Sequence, residues 1–162
     1  MKKLILMRHA KSDWNHPNLS DHQRPLNKRG RQDASRMGVL LQEKGIEIDT
    51  ILCSTAQRTR ETLALLLEEY TFEGELRFVE LLYNADLRDY LAVLAELPDD
   101  IETAMLIGHN PTMSSALEFF TDSFEPFTAA AIAYLEFDAE SWGVLIENHE
   151  GSLLGYWTPK GN

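Results

Sequence analysis

Short runs of Ile, Val, Leu and Met alternate along this chain with longer segments in which apolar residues recur every three or four positions. Residues 3–7 (KLILM) carry four apolar residues in succession after Lys3, the pattern of a strand covered on both faces. Residues 27–44 carry a helical repeat and meet a stop signal at Gly45. A second strand is predicted over 48–53. Ser54-Thr55-Ala56-Gln57 matches a capping box and should open a helix running to about residue 69. Residues 75–79 form a third strand, and 86–96 a helix ended by Pro98. Residues 103–107 make a fourth strand, and Pro111 suits the first turn of a helix reaching about residue 120. Residues 132–137 and 144–148 read as two strands joined through Ser141-Trp142-Gly143, and 153–157 as a last strand or a packed tail.

Strands alternating with helices predict an α/β protein, a three-layer α/β/α sandwich with a largely parallel sheet. With 162 residues, 44% of them hydrophobic, and neither linker nor repeat, residues 1–162 are expected to form a single domain.

Charge changes this picture in one respect. The net charge is −11, yet residues 1–31 hold eight of the fifteen Lys and Arg and only two of the 26 acids. Such a body repels nucleic acid and anionic membranes, so neither is expected as a partner. An anionic ligand has to find a local basic pocket. A single cysteine fits a reducing compartment, and the few apolar residues after the N-terminal lysines fall short of a secretory leader; a cytoplasmic, monomeric protein is expected.

In open α/β sheets ligands sit beyond the carboxyl ends of the strands. Strand one ends in Arg8-His9, strand two in Ser54 with Arg58 in the next helical turn, strand three in Glu80, and strand four in Gly108-His109-Asn110. Parallel strands would bring two arginines, two histidines and a carboxylate to one rim. Arg58 near a helix N-terminus opposes the macrodipole, a conflict that an anion would remove. Two guanidiniums, two imidazoles and a proton donor suit a phosphoryl group. A neutral imidazole can attack phosphorus, splitting one difficult step into two. The cations and the second histidine would hold charge on the phosphoryl oxygens, and Glu80 could protonate the leaving group. This scheme needs no metal and no cofactor.

The stretch Arg8-His9-Ala10-Lys11-Ser12-Asp13-Trp14-Asn15 resembles the signature segment of the histidine phosphatase superfamily, the phosphoglycerate mutase-like proteins, where it reads roughly Arg-His-Gly-Glu-Ser-x-Trp-Asn. Arg24-Pro25-Leu26 with Gly30, the run from Ser54 through Thr62, Glu80 to Tyr83, and Gly108-His109-Asn110 resemble further segments of the same family in the same order. The resemblance implies a phosphoglycerate mutase-like fold and makes His9 the phosphorylated nucleophile. It implies that Arg8, Arg58 and His109 bind the phosphoryl group, with Asn15 a further contact. The small size and the form RHAKSDW look most like the SixA-type branch, which implies a phosphohistidine phosphatase acting on proteins. A small phosphate ester as substrate of a phosphatase or mutase, and a non-catalytic phospho-ligand binding domain, are the alternatives. Ala10 stands where the family has glycine, a small change unless the backbone needs positive φ. Glu80 is not a constant feature of the SixA-type branch, and a phosphoramidate needs less help to leave.

Other residues are expected to be ordinary. Four residues separate Cys53 from Arg58, one too few for a cysteine-phosphatase loop, so Cys53 is read as a buried hydrophobe. His16, His22 and His149 sit in polar stretches and are read as solvated. Trp14 is read as packing its own loop rather than meeting substrate.

Overall fold

The computed structural model describes residues 1–147 and 150–160. Its strands are β1 (Lys2–Arg8), β2 (Thr50–Ser54), β3 (Glu75–Val79), β4 (Thr103–Gly108), β5 (Ile132–Phe137) and β6 (Ser152–Trp157). The helices are α1 (Lys28–Glu43), α2 (Gln57–Glu69), α3 (Leu87–Ala95) and α4 (Thr112–Thr121), with short 3-10 turns at Asp21–Gln23, Glu80–Leu82 and Gly143–Ile146. The sheet order is β3-β2-β4-β1-β5-β6. The first four are mutually parallel; β5 runs antiparallel to β1, and β6 antiparallel to β5.

Successive side chains of a strand point to opposite faces, and here both faces are covered. Leu4, Leu6, Leu52 and Leu106 pack with Tyr90 and Leu94 of α3 and Leu117 and Phe120 of α4. Ile5, Met7, Ile51 and Ile107 pack with Met37 and Leu41 of α1 and Leu63 and Leu66 of α2. Two apolar layers around one sheet are the reason the strands read as unbroken apolar runs, and the expected three-layer sandwich is the one observed. No helix among the described residues is long and apolar enough to cross a membrane.

Two local readings are corrected. Residues 144–148 are not a strand: Gly143–Ile146 is a 3-10 turn, and Asn148, like His149, lies outside the described residues. Trp142, expected in a hairpin turn, is fully buried and its Nε1 donates to the Ile101 carbonyl (2.8 Å). Burying that indole takes the segment out of the sheet, and the neighbour of β5 is instead β6, the expected last strand. The capping box at Ser54 is also absent. Helix α2 begins at Gln57 after Ala56, which offers no side-chain cap, while Ser54 closes β2. Asn27 does cap α1, accepting from Gly30 N (2.8 Å).

Register positions the rim. Arg8 pairs with Gly108, Cys53 with Ile107, and Ser54 with Val79, so the last residues of β1, β4, β2 and β3 end in one row. The residues that follow each strand therefore emerge side by side.

Candidate active site

His9 is the first residue past β1. Its backbone N–H donates to Gly108 O (3.1 Å) and its carbonyl accepts from Ala130 N (3.0 Å), which fixes its place between β4 and the segment before β5. Ala10 behind it is fully buried, with its N–H on Thr62 Oγ1 (3.0 Å) of α2. Ala10 has no left-handed φ, so replacing the family's glycine costs no backbone strain. The loop beyond is held at Lys11, whose carbonyl accepts from Asn27 N (3.0 Å) and lies against Gly30; a Cβ there would stand 2.1 Å from that oxygen.

His9 is 8% exposed, and its Nδ1 meets the Ala10 carbonyl at 2.7 Å. A carbonyl only accepts, so Nδ1 carries the proton and Nε2 keeps its lone pair. Burial pushes the His9 pKa down to about 3; the Ala10 contact opposes this, and His109, Arg58 and Arg8 add to it. The ring is neutral at neutral pH. His109 follows β4, with its ring centroid 5.3 Å from that of His9 and its Nε2 2.9 Å from Ser54 Oγ. Burial first, and Arg58 next, push the His109 pKa down to about 4. Its backbone N–H donates to the Tyr90 hydroxyl (2.9 Å), which fills the space over Gly108: a Cβ at Gly108 would lie 2.2 Å from that oxygen.

Arg8 donates through Nη1 to the Phe127 carbonyl (3.0 Å), and its buried Nε has no partner among the described residues. Burial lowers its pKa. Phe127 and Ala130 take positive φ values of 45° and 65°, so the segment that receives Arg8 and closes on His9 is bent into an unfavourable conformation for residues with a Cβ. Arg58, 8% exposed in the first turn of α2, gives Nη1 to the Asp21 carbonyl (2.8 Å) and Nη2 to Asp21 Oδ2 (3.1 Å). The macrodipole conflict is met inside the protein by a carboxylate.

Asp21 was not singled out in the sequence, and it is the hub of the cation cluster. Oδ1 accepts from Arg24 Nη1 (2.8 Å), and Oδ2 accepts from the Tyr83 hydroxyl (2.7 Å) as well as from Arg58. The Tyr83 hydrogen bond, with Arg24 and Arg58, holds the Asp21 carboxyl well below the usual carboxylate range. The available signal was scarcity: Asp21 is one of two acids in the first 31 residues. Tyr83 also sets its ring edge to His109 (5.7 Å) and to His22 (4.7 Å). His22, read as solvated, is half-buried with Nε2 on Thr55 Oγ1 (2.9 Å). His16 is exposed beside Asp13 (3.3 Å).

The site opens into a cavity of about 610 Å³ whose lining includes Arg8, His9, Lys11, Trp14, Asp21, Arg24 and Arg58. Four cations, one carboxylate and the neutral His9 line this cavity and leave it strongly positive in a chain of net charge −11, while His109 stands beside His9 and outside the lining. Arg8, His9, Arg58 and His109 thus come together as the strand ends predict. Glu80 and Asn15 do not join them. Glu80 is exposed on its 3-10 turn, outside the cavity lining, and its side chain makes no hydrogen bond or ion pair among the described residues. Asn15 is exposed and its backbone N–H donates to Asp13 Oδ1 (2.8 Å). Cys53 is buried, and burial pushes its thiol up to about 12.

A family model described as the histidine phosphatase superfamily (branch 1) matches residues 4–91. An uncharacterized protein of Mycobacterium leprae is 33% identical over 165 residues, covering 95% of this chain and 100% of that protein. A SixA structure from Nakamurella multipartitia superposes with a TM-score of 0.82 at 29% identity, over 98% of this chain and 96% of the other. The protein histidine phosphatase SixA, solved with tungstate, gives the same TM-score of 0.82 at 22% identity over 98% of this chain and 97% of the other, a likeness of fold.

Proposed function

The chain belongs to the histidine phosphatase superfamily, and from that premise we propose that it is a phosphatase acting through a phosphorylated His9, with phosphohistidine on a protein as its substrate. The observation that carries the reading is the pairing of a neutral His9, whose Nε2 lone pair is available, with the buried, unpartnered Nε of Arg8 in a cation-lined cavity.

In the first step the Nε2 lone pair of His9 attacks phosphorus and the bond to the leaving group breaks, its electron pair departing with that group. In the second a water attacks phosphorus, its proton is lost to solvent, and the P–N bond to His9 returns its electrons to the imidazole. Arg8 and Arg58 balance the charge of the phosphoryl oxygens as it redistributes, and His109 stands next to the nucleophile, its ring centroid 5.3 Å from that of His9. Arg58 is shared with Asp21, so the phosphoryl group meets an arginine already oriented.

The proton inventory favours a phosphoramidate. Asp21, the carboxylate in the lining, is held ionised, and both histidines are neutral. Glu80 stands outside the lining. The leaving group therefore does best when it brings its own proton. A phosphorylated imidazole protonated on its second nitrogen departs as neutral imidazole, whereas an alkoxide leaves poorly without a positioned acid.

The test is a panel of a phosphohistidine protein, phosphoserine and sugar phosphates, followed by an alkaline quench of enzyme mixed with labelled substrate. The expected result is preferential turnover of phosphohistidine and an acid-labile label on wild type that His9→Ala lacks. Faster turnover of the alkyl esters would replace the substrate class, and label on serine or Cys53 would discard the mechanism.

A further inference from the structure

Trp14, read in the sequence as packing its loop, is 78% exposed and lines the same cavity as His9. Its ring lies on the guanidinium of Arg24, whose Cζ is 3.3 Å from the ring centroid. Arg24 is 8% exposed and tied down on every side: Nη1 to Asp21 Oδ1 (2.8 Å), Nε to the Asp13 carbonyl (3.2 Å), and Nη2 to Ser12 Oγ. The loop itself is fastened by the bridge between Ser12 and Leu26 and by Asp13 N on the Pro25 carbonyl (2.8 Å). The indole is thus held flat on one face and left open on the other. By contrast Trp142 is fully buried and Trp157 lies against Tyr134. An indole kept in water beside a reactive cavity forgoes a large burial gain, and it is held too firmly to be a loose surface residue.

We infer that Trp14 is a stacking platform for a planar ring bonded directly to the phosphoryl group, and that it selects aromatic leaving groups, imidazole or phenol, over alkyl ones. The cavity of about 610 Å³ has room for such a ring beyond the phosphoryl group held by Arg8 and Arg58. With one face of the indole on Arg24, a ring on the other face completes a guanidinium–indole–ring stack. This specificity role rests on the phosphatase reading, but the geometry can be tested without turnover.

Binding of phenylphosphonate and methylphosphonate, neither of which can be hydrolysed, is measured by indole fluorescence and calorimetry on wild type, Trp14→Ala and Trp14→Phe. Wild type should bind phenylphosphonate more tightly than methylphosphonate by about five- to tenfold and show quenching. Trp14→Ala should lose that preference with its methylphosphonate affinity within twofold and its melting temperature unchanged, while Trp14→Phe keeps most of it. Equal binding of the two phosphonates by wild type, or an intact preference in Trp14→Ala, overturns the platform. In a kinetic arm, Trp14→Ala should lower kcat/KM for a phosphohistidine peptide and for phenyl phosphate while sparing phosphoserine. An equal loss on all three would make Trp14 structural and overturn the proposal. Ring preference without turnover of any phosphate would sink the phosphatase reading and leave the platform standing.

Discussion

At the amino-terminal edge of the sheet Lys2 is 3% exposed and its ammonium donates to the carbonyls of Asp99 and Ile101, and Asp49 Oδ2 accepts the N–H groups of Glu102 (3.0 Å) and Thr103 (2.9 Å). At the carboxyl-terminal rim, Arg8 keeps a buried Nε without a partner among the described residues, and the buried His9 and half-buried His109 rings lie with their centroids 5.3 Å apart under the field of two guanidiniums. Polar groups in both places sit on the same sheet, a few residues apart in sequence. The lower ones close local accounts of hydrogen bonding and read as structure. The upper ones leave an interaction unmade and two protonations suppressed, and those are marks of a site shaped for something else.

The widest gap between the two edges should appear when one cation from each is removed. Arg8→Ala is expected to lower kcat/KM by on the order of 10²- to 10³-fold, with a modest drop in thermal midpoint, because Nε is unpartnered and the side chain gives up only its hydrogen bond to the Phe127 carbonyl. A kinetic loss below tenfold would break the comparison. Lys2→Met should do the reverse. Leaving the Asp99 and Ile101 carbonyls without their donor should cost about 1–3 kcal/mol in urea denaturation, with kcat/KM within twofold.

The pH dependence sharpens the contrast. The native pKa values of His9 and His109, about 3 and about 4, lie below the ordinary imidazole value. As the pH falls through about 6.5 the unfolded chain takes up protons that the native rim refuses, so stability should fall between pH 6.5 and pH 4 by up to roughly 1 kcal/mol per pH unit for each ring. His9→Gln should flatten that slope in melting experiments, whereas Lys2→Met should leave it alone. An unaltered slope in His9→Gln would mean that the native His9 is protonated normally. The smallest expected effect is that of Tyr83→Phe. Loss of one hydrogen bond to a partly exposed carboxylate should weaken inhibition by inorganic phosphate about threefold, through looser placement of Arg58. No change at all would separate Tyr83 from the cation cluster.

Much of the rim was legible because its residues terminate strands. An apolar run that stops at Arg8-His9 or Gly108-His109 declares both the strand and what it presents, and parallel pairing then aligns the endings. The departures have one cause. Ser54 looked like a helix cap because its local spacing fits one, but its hydroxyl meets His109, 55 residues away. Trp142 looked like a turn residue until the α3/α4 face claimed it. Asp21 joins Arg58 across 37 positions and Tyr83 across 62, and Tyr90 supports His109 from another helix. Trp14 shows its exposure only once Arg24 is seen beneath it.

By itself the sequence determined the layers of this protein, the polarity of its strands and the identity of the groups at their tips, because a period of two or of 3.6 and a chain reversal are local properties. Only the tertiary structure decided which carboxylate holds Arg58, which nitrogen of His9 is left to react, how far both imidazoles are discharged, and that one indole stays in the open. Those outcomes depend on burial and on partners distant along the chain, and neither is encoded in any short stretch of it.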